Sequence, residues 1–182
     1  MKVLSVNVGL PRLVEYRGEP VATGIFKEPV VGRIRVNELN LEGDGQADLR
    51  VHGGYYKAVY VYPSEHYEFW KREFPEMELP FGIFGENLTT TGLLEKDVFA
   101  GDRLGIGTAE FIVTQPRQPC FKLGIRFGRV DIIKRFAKSG RSGFYLSIEK
   151  TGELETGNTV EIFDRGQSEV SIAAVARKKF NL

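Results

Sequence analysis

A mostly β fold in one domain is predicted by three features of this chain. Short strand-like runs fill most of it, turn residues bound nearly all of them, and one turn-into-strand pattern is used twice. The runs fall at 2–8, 21–26, 30–36, 57–62, 86–90, 103–107, 109–114, 143–149 and 158–163, mostly between Gly, Pro, Asn or Asp. Twenty-one glycines in 182 residues fit many tight turns between short strands. The repeated pattern sets Val98-Phe99-Ala100-Gly101-Asp102-Arg103-Leu104-Gly105-Ile106 against Leu154-Glu155-Thr156-Gly157-Asn158-Thr159-Val160-Glu161-Ile162. Each copy reads apolar residue, two spacers, Gly-Asp or Gly-Asn, then an alternating strand. Two copies do not make a solenoid, but they suit a barrel whose strands enter through similar corners.

In chain order, Met1-Lys2-Val3-Leu4-Ser5-Val6-Asn7-Val8 alternates as a strand does. Pro63-Ser64 opens a first helix, with Ser64 as N-cap, Tyr67, Trp70 and Phe74 as the apolar stripe, and Pro75 as the stop. A second helix runs over 131–138, with Ile132, Ile133, Phe136 and Ala137 on one face and Gly140 past its end. Its Lys134, Arg135 and Lys138 read as a solvated face. From Gly166 the tail is amphipathic through Val170, Ile172 and Val175, fitting a strand, a short helix or a dimer contact. No linker, composition break or low-complexity tract interrupts the chain, so the expected organisation is a β domain over 1–165 and a short tail over 166–182.

Bulk properties remove several function classes. A net charge of +1 gives no electrostatic case for nucleic acid or an anionic membrane as partner. No apolar stretch approaches the roughly 20 residues that cross a bilayer. The N-terminus lacks the apolar core of a signal peptide, and one cysteine cannot form an internal disulfide, so a cytoplasmic location is expected. Only two histidines are present, and His52, His66 and Cys120 show no zinc spacing. His66, one turn before Trp70, reads as structural.

The lone cysteine ends Gln115-Pro116-Arg117-Gln118-Pro119-Cys120. Two prolines stiffen the backbone leading to it, and Arg117 three residues away favours a thiolate. The plainer reading is a small buried hydrophobe. The densest polar stretch, Gly43-Asp44-Gly45-Gln46-Ala47-Asp48-Leu49-Arg50-Val51-His52-Gly53-Gly54, makes a poor core and a good loop whose N–H groups suit an anion. It is no phosphate loop of either common type, and an ordered surface turn is its alternative. Phe84-Gly85-Glu86-Asn87-Leu88-Thr89-Thr90-Thr91-Gly92 offers neutral donors and acceptors, or simply closes a turn. Arg141 in Gly140-Arg141-Ser142-Gly143-Phe144-Tyr145 suits a phosphate, a carboxylate or a surface ion pair. Lys27 is a cation at a strand end.

Together these stretches, in this order with Gly101-Asp102 between them, resemble the MOSC domain, named for the C-terminal domain of molybdenum cofactor sulfurase. The likeness is to its small stand-alone YiiM-type branch, linked to resistance against 6-N-hydroxylaminopurine, and spans about residues 20 to 163. Relatives of that branch commonly continue into a helical C-terminal extension beyond the point matching Leu182. The resemblance implies a closed mixed β-barrel with a few short helices. It also implies a molybdenum cofactor whose metal is ligated by Cys120, with Lys27, His52, Asn87, Arg117 and Arg141 binding its anionic part. Pyridoxal phosphate binding attaches to the family only as a loose association.

Three functions follow as expectations. The first is a molybdoenzyme reducing N-hydroxylated small molecules such as hydroxylaminopurines or amidoximes, with His52 and Tyr145 as candidate proton shuttles. The chain has no iron–sulfur cysteines or nucleotide fingerprint, so a separate electron-donor protein is expected, and a homodimer is compatible. The second is a carrier in which Cys120 holds a persulfide or the cofactor. The third is a binding module with an inert Cys120.

Overall fold

A computed structural model of the chain describes residues 1–47 and 53–182. The strands are β1 (Lys2–Val8), β2 (Arg12–Tyr16), β3 (Glu19–Thr23), β4 (Glu28–Val30), β5 (Ile34–Val36), β6 (Val59–Pro63), β7 (Leu88–Thr91), β8 (Arg103–Ile106), β9 (Ala109–Pro116), β10 (Phe144–Lys150), β11 (Gly152–Leu154) and β12 (Val160–Asp164). The helices are α1 (Tyr67–Glu73), α2 (Phe121–Phe127), α3 (Asp131–Ser139) and α4 (Ile172–Phe180). The fold is mostly β. Eight strands form one mixed sheet in the order β12-β8-β9-β10-β6-β7-β1-β4. Every neighbouring pair is antiparallel except β6 and β7, which run parallel because α1 provides the crossover between them. β2–β3 and β5–β11 are separate two-stranded pairs.

The closed barrel expected from the resemblance is not found as a continuous ladder. One edge of β1 meets β7, and β4 and the approach to β12 share the other. Lys2 lies opposite both Thr91 and Thr159, while Val6 lies opposite both Leu88 and Val30. Three backbone hydrogen bonds, Val3 N–H to Asn158, Gly157 N–H to Val3 and Val160 N–H to Met1, join the start of β12 to the start of β1. With β4 occupying the rest of that edge, β12 has no room for a full ladder beside β1.

The repeated turn is realised twice with the same geometry. Gly101 and Gly157 have φ of 94° and 95°, values open to glycine and strained for other residues. Asp102 accepts the N–H of Phe99 and Asn158 that of Glu155, each three residues back. The strands that follow, β8 and β12, pair with each other.

Two cores lie on opposite faces of β6. Val59 and Val61 join an aliphatic core with Val3, Leu88, Phe111, Phe144 and Leu146. Tyr60 and Tyr62, displaced by one residue, enter an aromatic core under α1, α2 and α3. There Trp70 stacks on Phe74 and Phe136, and its indole N–H donates to the Tyr62 hydroxyl at 2.6 Å. The first helical segment opens as a 3-10 turn over Ser64–His66, and Ser64 does not cap it: its hydroxyl reaches Glu65. The run read at 30–36 divides into β4 and β5. β2, β11 and α2 were not expected from the pattern. The tail forms α4, capped by Ser171, which accepts from Ala174 N–H, and it places Ile172 and Ala176 in the interior.

Candidate functional site

The elements converge on a cavity of about 100 Å³. Its wall comes from the chain between β3 and β4 (Gly24, Ile25, Lys27), from Asp44 to Ala47, from Lys57, Ala58 and Tyr60, from Gly85 and Asn87, from the segment joining β9 to α2, and from Tyr145 of β10. Among the described residues, four basic side chains, Lys27, Lys57, Arg117 and Lys122, line it against one carboxylate, Asp44. Cys120 and Gln118 share the wall.

Lys27 and Asp44 form a buried ion pair. Asp44 Oδ1 also accepts the N–H of Gly9 at 2.9 Å, and its Oδ2 accepts from Asn87 Nδ2 at 2.9 Å. Asn87 is engaged on every side: its Oδ1 takes Tyr60 N–H at 3.0 Å and its Nδ2 also reaches the carbonyl of Asn7. Asn87 therefore fixes Asp44 and, through it, Lys27. Burial lowers the Lys27 pKa, and the charge and hydrogen bond of Asp44 oppose that shift.

Arg117 is 5% exposed and donates through Nη1 to the carbonyl of Phe84. Its guanidinium carbon lies 4.8 Å from the ring centre of Tyr60 and 5.5 Å from that of Phe136. Burial opposes its charge, but Tyr60, Tyr145 and Cys120 beside it outweigh burial and raise its pKa. Arg117 is thus a fixed cation next to the cysteine. Tyr145 is held protonated: burial raises its pKa, and Arg117 pulls it down by less. Tyr60, likewise raised by burial, donates its hydroxyl proton to the carbonyl of Ser142 at 2.8 Å.

Lys27, Asn87, Arg117, Cys120 and Tyr145 are brought together by this cavity. Arg141 is not: its guanidinium sits 3.9 Å over the ring of Phe69 and donates to the carbonyl of Ser139. His52 lies outside the described residues. His66 is away from the cavity, its Nε2 on the carboxylate of Glu95. Sequence reasoning did not single out Asp44, Lys57 or Lys122 as site residues. The available signal for Lys122 was its position two residues after Cys120, which α2 turns into the cavity wall.

Among the described residues no group of three or more His, Cys, Asp or Glu side chains is arranged to hold a metal ion. As far as the described residues go, a metal held at Cys120 would have to bring most of its own ligands. A thiol beside fixed cations suits a metal carried by an anionic chelating cofactor, and the small cavity volume suits that group's compact, charged part.

Comparison with known proteins gives a consistent picture. The MOSC domain family matches residues 48–161. The protein YflK of Bacillus subtilis (strain 168) is 42% identical over 179 residues, which is 98% of this chain and 80% of YflK. A protein of Gibberella moniliformis (strain M3125 / FGSC 7600) named "Reductase" is 34% identical over 178 residues, 96% of this chain and 31% of that protein. The crystal structure of YiiM from Geobacillus stearothermophilus superposes with a TM-score of 0.82 at 35% identity, covering 98% of this chain and 83% of that one.

Proposed function

Because the chain belongs to the MOSC domain family, we propose that it binds the molybdenum cofactor in this cavity and reduces N-hydroxylated small molecules to the amine. The observation that carries the reading is the placement of Cys120 beside the buried cation Arg117, in a cavity where, among the described residues, four basic side chains face one carboxylate. A relative named reductase supports the direction of the chemistry. The same reading takes the sheet as a barrel closed through the contact between β12 and β1.

When bound, the cofactor supplies two-electron oxygen-atom transfer, converting R–NH–OH with two electrons and two protons to R–NH2 and water. Each residue has a definable part. Cys120 Sγ anchors the metal. Arg117, already rigid, and the cavity lysines balance the negative charge of the cofactor. Tyr145 keeps its proton on Oη and presents an O–H donor toward a ligand oxygen. Asp44 and Asn87 hold Lys27 in place. Electrons come from a separate donor protein, since neither an iron–sulfur nor a nucleotide-binding motif occurs in the chain.

The carrier reading, in which Cys120 holds a persulfide, uses the same cysteine. Anaerobic turnover of 6-N-hydroxylaminopurine by cofactor-loaded protein, with reduced methyl viologen as electron source, separates the two. Amine formation that disappears in Cys120→Ser is expected. A persulfide trapped at Cys120 without any turnover would favour the carrier.

A further inference from the structure

Lys122 stands apart from the other charged groups of the cavity. It is 8% exposed, it lines the cavity, and it has no hydrogen-bond or ion-pair partner among the described residues. Lys27, equally buried, is answered by Asp44, and Arg117 by the carbonyl of Phe84. The side chain is packed into the wall, but its ammonium is not among the buried polar atoms that lack a partner, so it keeps access to the cavity's open space and is placed to meet something bound there. The geometry of α2 sharpens the point. Leu123 and Phe127 enter the aromatic core, while Lys122, one residue earlier, faces the cavity with Cys120. Pro116 and Pro119 strip two N–H donors from the segment leading to Cys120, leaving side-chain cations to meet an anion there.

We propose that Lys122 is the anion subsite of the cavity and takes a phosphoryl group of the bound ligand. A cavity of about 100 Å³ suits a compact tetrahedral oxyanion. A lysine acts on it as a point charge, with the fixed guanidinium of Arg117 in the same wall. This inference rests on reading the cavity as an anionic-cofactor site, and it does not depend on metal at Cys120.

The test is calorimetric titration of the purified protein with inorganic phosphate and, separately, with a nucleoside monophosphate. Lys122→Met is expected to weaken binding at least tenfold, while Lys122→Arg and Cys120→Ser retain it. Tighter binding of the monophosphate assigns the phosphoryl group to a larger ligand, and tighter binding of inorganic phosphate assigns it to the free ion. Equal phosphate affinity in wild type and Lys122→Met, or no binding to wild type, would overturn the proposal. Should Lys122→Met not fold, the wild-type protein still decides. After reductive 13C-methylation, the Lys122 resonance, identified by its absence in Lys122→Arg, shifts on phosphate addition if the proposal holds and stays fixed if it does not. Phosphate binding through Lys122 in a protein that never retains molybdenum would keep this inference and remove the redox reading.

Discussion

Asp44 shows how one carboxylate organises the site. It neutralises Lys27, accepts a backbone N–H and takes the amide of Asn87, all out of water. Asp44→Asn leaves the Lys27 ammonium buried without its counter-charge, a change of about 3–5 kcal/mol in systems of this kind. Chemical denaturation is expected to show a loss of that order, and a loss below about 1 kcal/mol would mean that Lys27 finds another partner. Glu86 carries a pH dependence. Its carboxylate is fully buried and accepts from Gly82 and Phe84 N–H and from the hydroxyls of Tyr67 and Thr89. Burial raises its pKa, and those donors only partly offset the rise. A carboxyl with a raised folded-state pKa stabilises fully below its unfolded value of 4.5, and that contribution is lost as pH climbs through the folded value. The melting temperature of wild type relative to Glu86→Gln is therefore expected to fall as pH rises above 4.5, and a difference that grows with pH would contradict the assignment. At this scale the sequence was informative where backbone constraint and chemistry coincide. Arg117 between two prolines and Cys120 directly after the second announce themselves, and Lys27, Asn87 and Tyr145 fall in the same cavity. Arg141 looked equivalent but stacks on Phe69, a contact between residues far apart in the chain that no local pattern encodes.

The entry to β10 shows the element scale. Gly143 has φ of 59°, and a Cβ there would lie 2.4 Å from the carbonyl oxygen of Val61 in β6. Its N–H donates at 2.6 Å to Glu95, which also binds His66, so α1's approach and the start of β10 are tied at one carboxylate. Gly143→Ala combines a left-handed backbone, roughly 1–2 kcal/mol for a residue with a side chain, with a backbone collision. Loss of stability together with weakened phosphate binding is expected, because Tyr145 two residues on lines the cavity. Unchanged binding in a destabilised variant would separate the turn from the site. Strands that alternate against a core were legible in the sequence, as β1, β8, β9 and β12 show. β2 was not, since its hairpin with β3 leaves Leu13 72% exposed and so carries no burial pattern. α2 was hidden by Gly124 and by its position directly after the proline-rich segment, where an extended backbone is the natural reading.

At the scale of the whole molecule, β6 matters most because it is buried on both faces. Its valines complete the aliphatic core and its tyrosines the aromatic one, and Tyr60 also reaches the cavity. The site is therefore built where two cores meet, which explains how Lys27 and Arg117 can be held out of water, each with its own partner. The mostly β character followed from spacing and turn chemistry, whereas the edge shared by β4 and β12 depends on pairings distant in sequence. The central claim is that Cys120 anchors molybdenum in this cavity. The direct measurement is molybdenum content by elemental analysis of protein made in a cofactor-competent host and purified without oxygen, beside Cys120→Ser. Near-stoichiometric metal in wild type and none in the folded mutant is the predicted result; equal metal in both, or none in either, would contradict it.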